Sequence, residues 1–167
     1  MSKLIVLSSV PGSGKSYFSN MLKKMRRRHV YIVSSDGLRK DILGDVKDVS
    51  EEELIWETFY GLAKLYAKDK NAFVLLDATH IYSQKRKEIA KEFKGLFDEI
   101  ILASFNLDRE LVKHQNIERE YPVPLDVLNM FYEDYEYPDK EEKELFDKVY
   151  VIDTSDIGSV IYDLLEK

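Results

Sequence analysis

Leu4-Ile5-Val6-Leu7-Ser8-Ser9-Val10-Pro11-Gly12-Ser13-Gly14-Lys15-Ser16 decides how the rest of the chain is read. Four apolar residues form a short strand, and the loop behind them ends in Gly-Lys-Ser. Such a loop leaves several backbone N–H groups unpaired and aims them at the phosphates of a nucleoside triphosphate. The positive end of the following helix faces the same anion. Gly12 and Gly14 let the backbone bend close to phosphate. Lys15 would bridge the β- and γ-phosphate oxygens as a point charge, and the Ser16 hydroxyl would complete the shell of a Mg²⁺ that keeps most of its water. One position departs from G-x-x-x-x-G-K-[ST]: Ser9 stands where the first glycine is expected, which puts the turn's backbone angles in question but removes no phosphate donor.

Outward from that stretch, apolar β-branched runs recur at residues 4–7, 30–33, 72–76, 100–105 and 149–152. Polar turn residues and a longer helical pattern follow each, which predicts five parallel strands. Continuous rather than alternating hydrophobicity implies helices on both faces of the sheet. The expected architecture is a three-layer α/β domain, with helices near residues 15–28, 37–43, 51–69, 83–94, 108–120, 124–136 and 156–166. Ser50 and Glu53 have the spacing of a capping box. The dense charge at residues 133–148 reads as a solvated helix-and-turn surface. With no repeat and no Gly/Ser linker, residues 1–167 read as one domain.

Composition narrows the chemistry. Twenty-five basic against 31 acidic residues leave a net charge of −6, which argues against bulk electrostatic capture of nucleic acid and leaves local basic patches open. Without cysteine there is neither a disulfide framework nor a thiolate metal site, and His29, His80 and His114 are too scattered to suggest zinc. No apolar run approaches the ~18 residues of a membrane span. Met-Ser-Lys leads straight into the first strand, so the expectation is a soluble cytoplasmic protein with no obligate protein partner evident.

Ligands of open α/β sheets bind outside the carboxyl ends of the strands, which makes the residues just after each strand the candidates. Asp36, after the second strand, reads either as a helix cap or as a carboxylate that accepts the proton of an attacking hydroxyl. Arg39, one turn on, could hold a substrate phosphate bidentately. Asp77 is the first polar group after the third apolar run; it either caps the next helix or supports a Mg²⁺ water shell. His80 follows in the same loop and reads more readily as structural than as a substrate contact. Residues 111–124 form a polar helix interrupted by Pro122 and Pro124 before another amphipathic helix, a pattern that suits a lid spanning about residues 108–138. Arg119 is the candidate to swing over a triphosphate, with Arg109 as the other arginine in reach and a plain surface pairing of Arg119 with Glu118 or Glu120 as the bland alternative. The Lys23–His29 basic cluster closes the first helix, favours its dipole and should lie opposite the site. Tyr17, Phe18, Trp56, Phe59, Tyr60 and Tyr66 recur at helical spacing and read as core more readily than as base-stacking platforms.

Pro11-Gly12-Ser13-Gly14-Lys15-Ser16, then Asp36-x-x-Arg39, then Asp77-Ala78-Thr79, then Asn116-x-x-Arg119 with Val123-Pro124-x-x-Val127-Leu128 behind it, occur in one order. Together they resemble the P-loop kinase domain of bacteriophage and bacterial polynucleotide 5′-kinases over most of residues 3–152. That resemblance implies transfer of the ATP γ-phosphate to the 5′-hydroxyl end of RNA or DNA. By the same resemblance, residues Pro11 to Ser16 and Tyr17 hold ATP, and Ser16 and, through water, Asp77 hold Mg²⁺. Asp36 is implied as general base, Lys15 and Arg119 as stabilisers of the transferring group, Arg39 as a contact to the acceptor's scissile-end phosphate and Asp77 as support for the site, with Asp36, Arg39, Asp77 and Thr79 binding the substrate. The chain departs from the family at Ser9 and in a lid poor in basic residues, and the phosphatase domain of some members is absent, which would make it kinase-only. A nucleoside, nucleotide or other small-molecule kinase, and a nucleotide-binding switch without efficient transfer, remain the alternatives. The choices of RNA or DNA, of ATP or GTP, and of oligomeric state stay open.

Overall fold

The protein is described here by a computed structural model covering residues 1–166. Five strands, β1 (Lys3–Ser8), β2 (Val30–Ser34), β3 (Phe73–Asp77), β4 (Glu99–Phe105) and β5 (Lys148–Ile152), form one parallel sheet in the order β2-β3-β1-β4-β5. The eight helices of the described residues are α1 (Lys15–Arg26), α2 (Ser35–Leu43), α3 (Glu52–Tyr66), α4 (Ser83–Phe93), α5 (Arg109–Ile117), α6 (Leu125–Asp134), α7 (Lys140–Leu145) and α8 (Ile157–Leu165). The expected three-layer α/β architecture with a five-stranded parallel sheet is the one observed.

Side chains along β1 alternate between two cores. Leu4 and Val6 join Val74, Leu76 and Leu102 beneath Phe59, Ala63, Ile89 and Phe93, so α3 and α4 cover one face. Ile5 and Leu7 join Leu75, Ile101 and Ala103 beneath Phe18, Leu22, Val160, Ile161 and Leu164, so α1 and α8 cover the other. A strand buried on both faces needs apolar residues at every position, which is why the continuous runs read correctly as strands of a covered sheet. A third, smaller cluster of Val10, Val112 and Leu128 seats α5 and α6 against the loop that follows β1. Because β1 is central, with β3 on one side and β4 on the other, its loop opens into the crevice where successive connections diverge.

Four local expectations are corrected. The capping box at Ser50 and Glu53 does not form: α3 starts one residue later than a Ser50 cap allows, its N-cap Glu51 makes no side-chain cap bond, and the Ser50 N–H goes instead to the Asp48 carboxylate at 2.8 Å. Asp36 is not a cap, because Ser34 takes that role by accepting the Gly37 N–H at 3.1 Å. Tyr17 is 59% exposed rather than core, since it falls on the solvent side of α1 while Phe18 is buried. The charged stretch at residues 133–148 is not wholly solvated: it contains α7, whose Glu142 is fully buried against Arg86 of α4. Among the described residues no helix is long and apolar enough to cross a membrane.

Candidate active site

The loop from Ser9 to Gly14 is built by its own hydrogen bonds. Ser13 Oγ donates to the Val10 carbonyl at 2.7 Å, and the Ser9 N–H donates to the Thr79 carbonyl at 2.8 Å, lashing the loop to the end of β3. Gly12 and Gly14 adopt φ of +79° and +88°, the left-handed region in which a side chain is strained. A Cβ on Gly12 would sit 3.4 Å from Asn116 Cβ and from the Val112 carbonyl, so the glycine also permits close packing on α5. Ser9, by contrast, is absent from the positive-φ positions, and the backbone here does not need the glycine of the consensus. Gly14 caps α1 with no side-chain hydrogen bond and no acidic residue in the first turn, which leaves the helix N-terminus suited to an anion.

Lys15 Nζ donates to Ser9 Oγ at 2.8 Å. The lysine keeps some contact with solvent, yet the surrounding protein desolvates its ammonium and holds its pKa below the ordinary range. The Asp77 carboxylate opposes that shift, Arg119 adds to it, and Asp36 again opposes it. Asp77 lies at the end of β3, opposite Ser34 in register, and burial raises its pKa while Lys15 holds it down. These mutual effects place Lys15, Asp77, Asp36 and Arg119 in one electrostatic field. Ser16 and Tyr17 occupy the exposed first turn of α1.

Asp36 sits in the first turn of α2 with its carboxylate largely in solvent. One oxygen accepts from Arg39 Nη1 at 3.0 Å, and the other lies 4.0 Å from Arg119 Nη2. Arg119, just beyond α5, therefore reaches across to α2 rather than pairing with Glu118 or Glu120, and its Nη1 is buried without a hydrogen-bond partner. Asn116 shapes this turn by bonding both the N–H and the carbonyl of Val123, at 2.9 and 2.7 Å. Arg109 is engaged elsewhere, with Nη2 on Asn129 Oδ1 at 2.6 Å and its guanidinium over the Tyr132 ring. Arg39 is also largely engaged: its Nε and Nη2 fork grips both oxygens of Glu52 at 2.8 Å, which raises its pKa. The Lys23–His29 cluster lies away from the site, where Arg26 stacks on Phe73 and donates to the Asn71 carbonyl at 2.7 Å.

Beyond Asp77, Thr79 and His80 line a cavity of about 610 Å³ bounded by α3, the β3–α4 turn and α6. His80 is buried, and its Nδ1 donates to the Leu7 carbonyl at 2.9 Å. Burial draws its pKa down to about 4, so the ring is neutral near pH 7.

Sequence reasoning missed several of these partners. Ser9 as the seat of Lys15, Glu52 as the mate of Arg39, and the Arg86–Glu142 pair all depend on contacts between distant segments. Asn116 carried a signal only through its spacing from Arg119.

A protein-family model described as an AAA domain matches residues 4–138. Among curated proteins, the chain is 29% identical over 138 residues to the L-seryl-tRNA(Sec) kinase of Methanococcus maripaludis, covering 81% of this chain and 53% of that protein. It is 30% identical over 145 residues to the protein kti12 of Schizosaccharomyces pombe, covering 81% of this chain and 52% of that one. The chain thus spans about half the length of the curated relatives it matches. Among solved structures, Chaetomium thermophilum Kti12 in complex with ADP-AlF3 superposes with a TM-score of 0.71 at 16% identity, covering 96% of each chain. A fungal RNA kinase superposes with a TM-score of 0.68 at 17% identity, over 99% of this chain and 44% of that one. At such identities the likeness is one of fold, the P-loop kinase fold. The match from β1 to the segment just beyond α6 spans most of the chain, and on it the protein belongs to the AAA domain family.

Proposed function

We propose that the protein is an ATP-dependent phosphotransferase that moves the γ-phosphate to a hydroxyl, and that the acceptor is the 5′-hydroxyl end of RNA or DNA. The observation that carries this reading is the approach of Arg119 to Asp36 at 4.0 Å, with Lys15 and Asp77 in the same electrostatic field. A relative that acts on tRNA and a structural neighbour that is an RNA kinase support an acceptor attached to nucleic acid. On this reading residues 1–167 are one domain and about residues 108–138, which carry α5 and α6, are its lid.

In this reading the backbone of Pro11 to Gly14, the α1 N-terminus and Lys15 cradle the β- and γ-phosphates, with Tyr17 flanking them. The residues present fit a magnesium ion: the Ser16 hydroxyl is exposed, and among the described residues the Asp77 carboxylate makes no hydrogen bond, two hard oxygen donors of the kind Mg²⁺ takes directly or through water. A Mg²⁺ there would neutralise charge on the β- and γ-phosphate oxygens. Asp36 accepts the proton of the attacking hydroxyl, whose oxygen forms a bond to the γ-phosphorus as the bond to the β-bridging oxygen breaks and ADP leaves. Arg119 stabilises the charge on the transferring group. Arg39, held by Glu52, keeps the Asp36 carboxylate oriented. Thr79 borders the acceptor.

A small-molecule kinase is the second reading, and one observation favours it: the groove beside the cavity carries Glu53, Glu57 and Glu92 against Lys64 and Lys85, with Lys64 paired to Glu92 at 2.6 Å, a net negative lining that does not attract a polyanion. The test is transfer of labelled γ-phosphate from ATP with Mg²⁺ to 5′-hydroxyl RNA, 5′-hydroxyl DNA and a nucleoside mixture. Label on an oligonucleotide end upholds the polynucleotide reading; label on nucleosides alone replaces it with the second. Asp36→Asn should retain ATP affinity and lose transfer by about 10²- to 10⁴-fold. Unchanged turnover in that variant would remove Asp36 from its role.

A further inference from the structure

None of the phosphate-handling groups lines the cavity beside Thr79, yet its wall is tied to their loop: the Thr79 carbonyl receives the Ser9 N–H, and the His80 ring holds the Leu7 carbonyl near the end of β1. At about 610 Å³ it has the size of a small-molecule site. Its walls define what enters. Trp56 and Tyr60, one turn apart on α3, present rings 6.0 Å apart and within 25° of parallel, and α6 contributes Val127 and Phe131. Flat apolar surfaces of this kind favour a planar ring system and give a polyhydroxylated sugar few hydrogen-bond partners.

The polar atoms narrow the class further. Since a carbonyl only accepts, His80 Nδ1 carries the proton and Nε2 is an acceptor whose one partner among the described residues is the Tyr60 hydroxyl, at a long 3.4 Å. Lys85 Nζ lies 4.9 Å from the centre of the Tyr60 ring, which draws the ammonium onto the aromatic wall. Asp134 stands on the α6 side, and Glu53 and Glu57 stand in the adjoining groove. A phosphate would meet net negative charge there, whereas a neutral ring bearing an N–H or amino donor would satisfy His80. Arg39 ties this wall to the reacting group, because its guanidinium lies 5.8 Å from the Trp56 ring while it bonds Asp36.

We propose that this cavity binds the nucleobase of the acceptor's hydroxyl-bearing nucleoside, stacked against Trp56 and Tyr60 and hydrogen-bonded to His80, which leaves the sugar hydroxyl directed toward Asp36. The inference rests on the hydroxyl-transfer reading above, and it names the same chemistry whether the nucleoside is free or ends a strand.

Trp56 is the sole tryptophan of the chain, so its fluorescence reports the cavity without any need for turnover. Adenosine, guanosine, cytidine and uridine, titrated into the full chain in the absence of ATP, should change that emission saturably, and ribose should not. Tyr60→Leu should weaken the response roughly 5- to 150-fold, the range expected for loss of one aromatic platform under a base. Val127→Phe, which fills the cavity from α6, should abolish it, with thermal melts of both variants confirming that they fold. In transfer assays, a 5′-hydroxyl oligonucleotide with an abasic first nucleotide should fall by a similar factor against its intact counterpart. Transfer to oligonucleotides but not to free nucleosides assigns the cavity to a strand end, and the converse assigns it to a free nucleoside. An equal fluorescence response to ribose, unchanged affinity in both variants, or undiminished transfer to the abasic strand would overturn the proposal. Nucleoside binding that survives while no hydroxyl is ever phosphorylated would uphold the cavity and refute the kinase reading; transfer indifferent to the base would do the reverse.

Discussion

Replacing Glu142 by glutamine removes one charge from a pair that is wholly shut away from water. Both side chains have 0% exposure, with Arg86 Nε on Oε2 at 2.8 Å and Nη2 on Oε1 at 2.9 Å. Ser83 Oγ donates to the same carboxylate. A guanidinium left buried without its anion costs about 3–5 kcal/mol, a large part of the roughly 5–15 kcal/mol that keeps a domain folded. For a chain of this length that corresponds to a drop in melting temperature of roughly 6–20 °C. Circular dichroism melts and urea titrations of Glu142→Gln measure it. A loss below about 1 kcal/mol would refute the premise that this carboxylate neutralises Arg86. Arg86→Met with Glu142→Leu separates pairing from anchoring. A simple buried pair replaced by apolar side chains is often neutral or stabilising. Arg86 also donates to Ser8 Oγ and to the carbonyls of His80, Ile81 and Glu136 at 2.6–3.1 Å. The His80 carbonyl keeps the Ser8 hydroxyl at 2.7 Å and the Ile81 carbonyl keeps the Glu136 N–H at 3.0 Å, so only the Glu136 carbonyl loses its donor. An acceptor left unpaired costs about 1–3 kcal/mol, and the double variant should be less stable than the parent by no more than that. A double variant as stable as the parent would show that the Glu136 carbonyl needs no donor from Arg86.

Arg119→Ala should lower kcat by about 10³- to 10⁵-fold, as loss of an arginine finger does, while Arg109→Ala, whose guanidinium is already held by Asn129 and Tyr132, should stay within roughly tenfold of the parent; reversed effects in single-turnover assays would exchange the two assignments. His80 titrates at about 4 when folded and at 6.5 when unfolded, so its stabilising contribution is complete above 6.5 and is lost as pH falls toward 4. That loss amounts to about 3 kcal/mol, and urea midpoints should fall less steeply with acid in His80→Gln than in the parent; parallel pH profiles would show that the imidazole does not stay neutral. Gly12→Ala combines a strained φ of +79° with contacts at 3.4 Å to α5, and it should destabilise by about 1–2 kcal/mol or more; an unchanged melt would indicate that the loop and α5 part easily.

What could be read in advance was what is local. The central strands β1, β3 and β4 declare themselves because they are buried on both faces, the edge strands β2 and β5 because their runs stay apolar, and the phosphate loop because its chemistry is confined to consecutive residues. Pro122 and Pro124 marked the break between α5 and α6 for the same reason. Glu142 shows the opposite case. In a stretch as charged as residues 133–148 it looks solvated, and only the arrival of Arg86, 56 residues away, makes it interior. Ser50 and Glu53 fit a capping pattern, yet Asp48 captures the N–H first. Trp56 and Tyr60 were read as core; they pack against it on one side and line the cavity on the other, a division that helical spacing does not encode. Arg109 and Arg119 were both in reach as the lid arginine in sequence, and their difference lies in Asn129 and Tyr132, which engage the first and not the second.

The serine at position 9 gives the loop a property that the consensus glycine lacks. A lysine side chain carries roughly 2 kcal/mol of rotamer entropy, and the hydrogen bond from Lys15 Nζ to Ser9 Oγ confines that freedom within the folded chain. The ordering is then charged to folding and not to nucleotide capture, so association starts from a side chain already aligned. Calorimetry would register this as a less unfavourable binding entropy in the parent than in Ser9→Gly, accompanied by a smaller enthalpy, because a bond to serine is exchanged for one to phosphate. In this loop a departure from the expected pattern trades heat of binding for readiness.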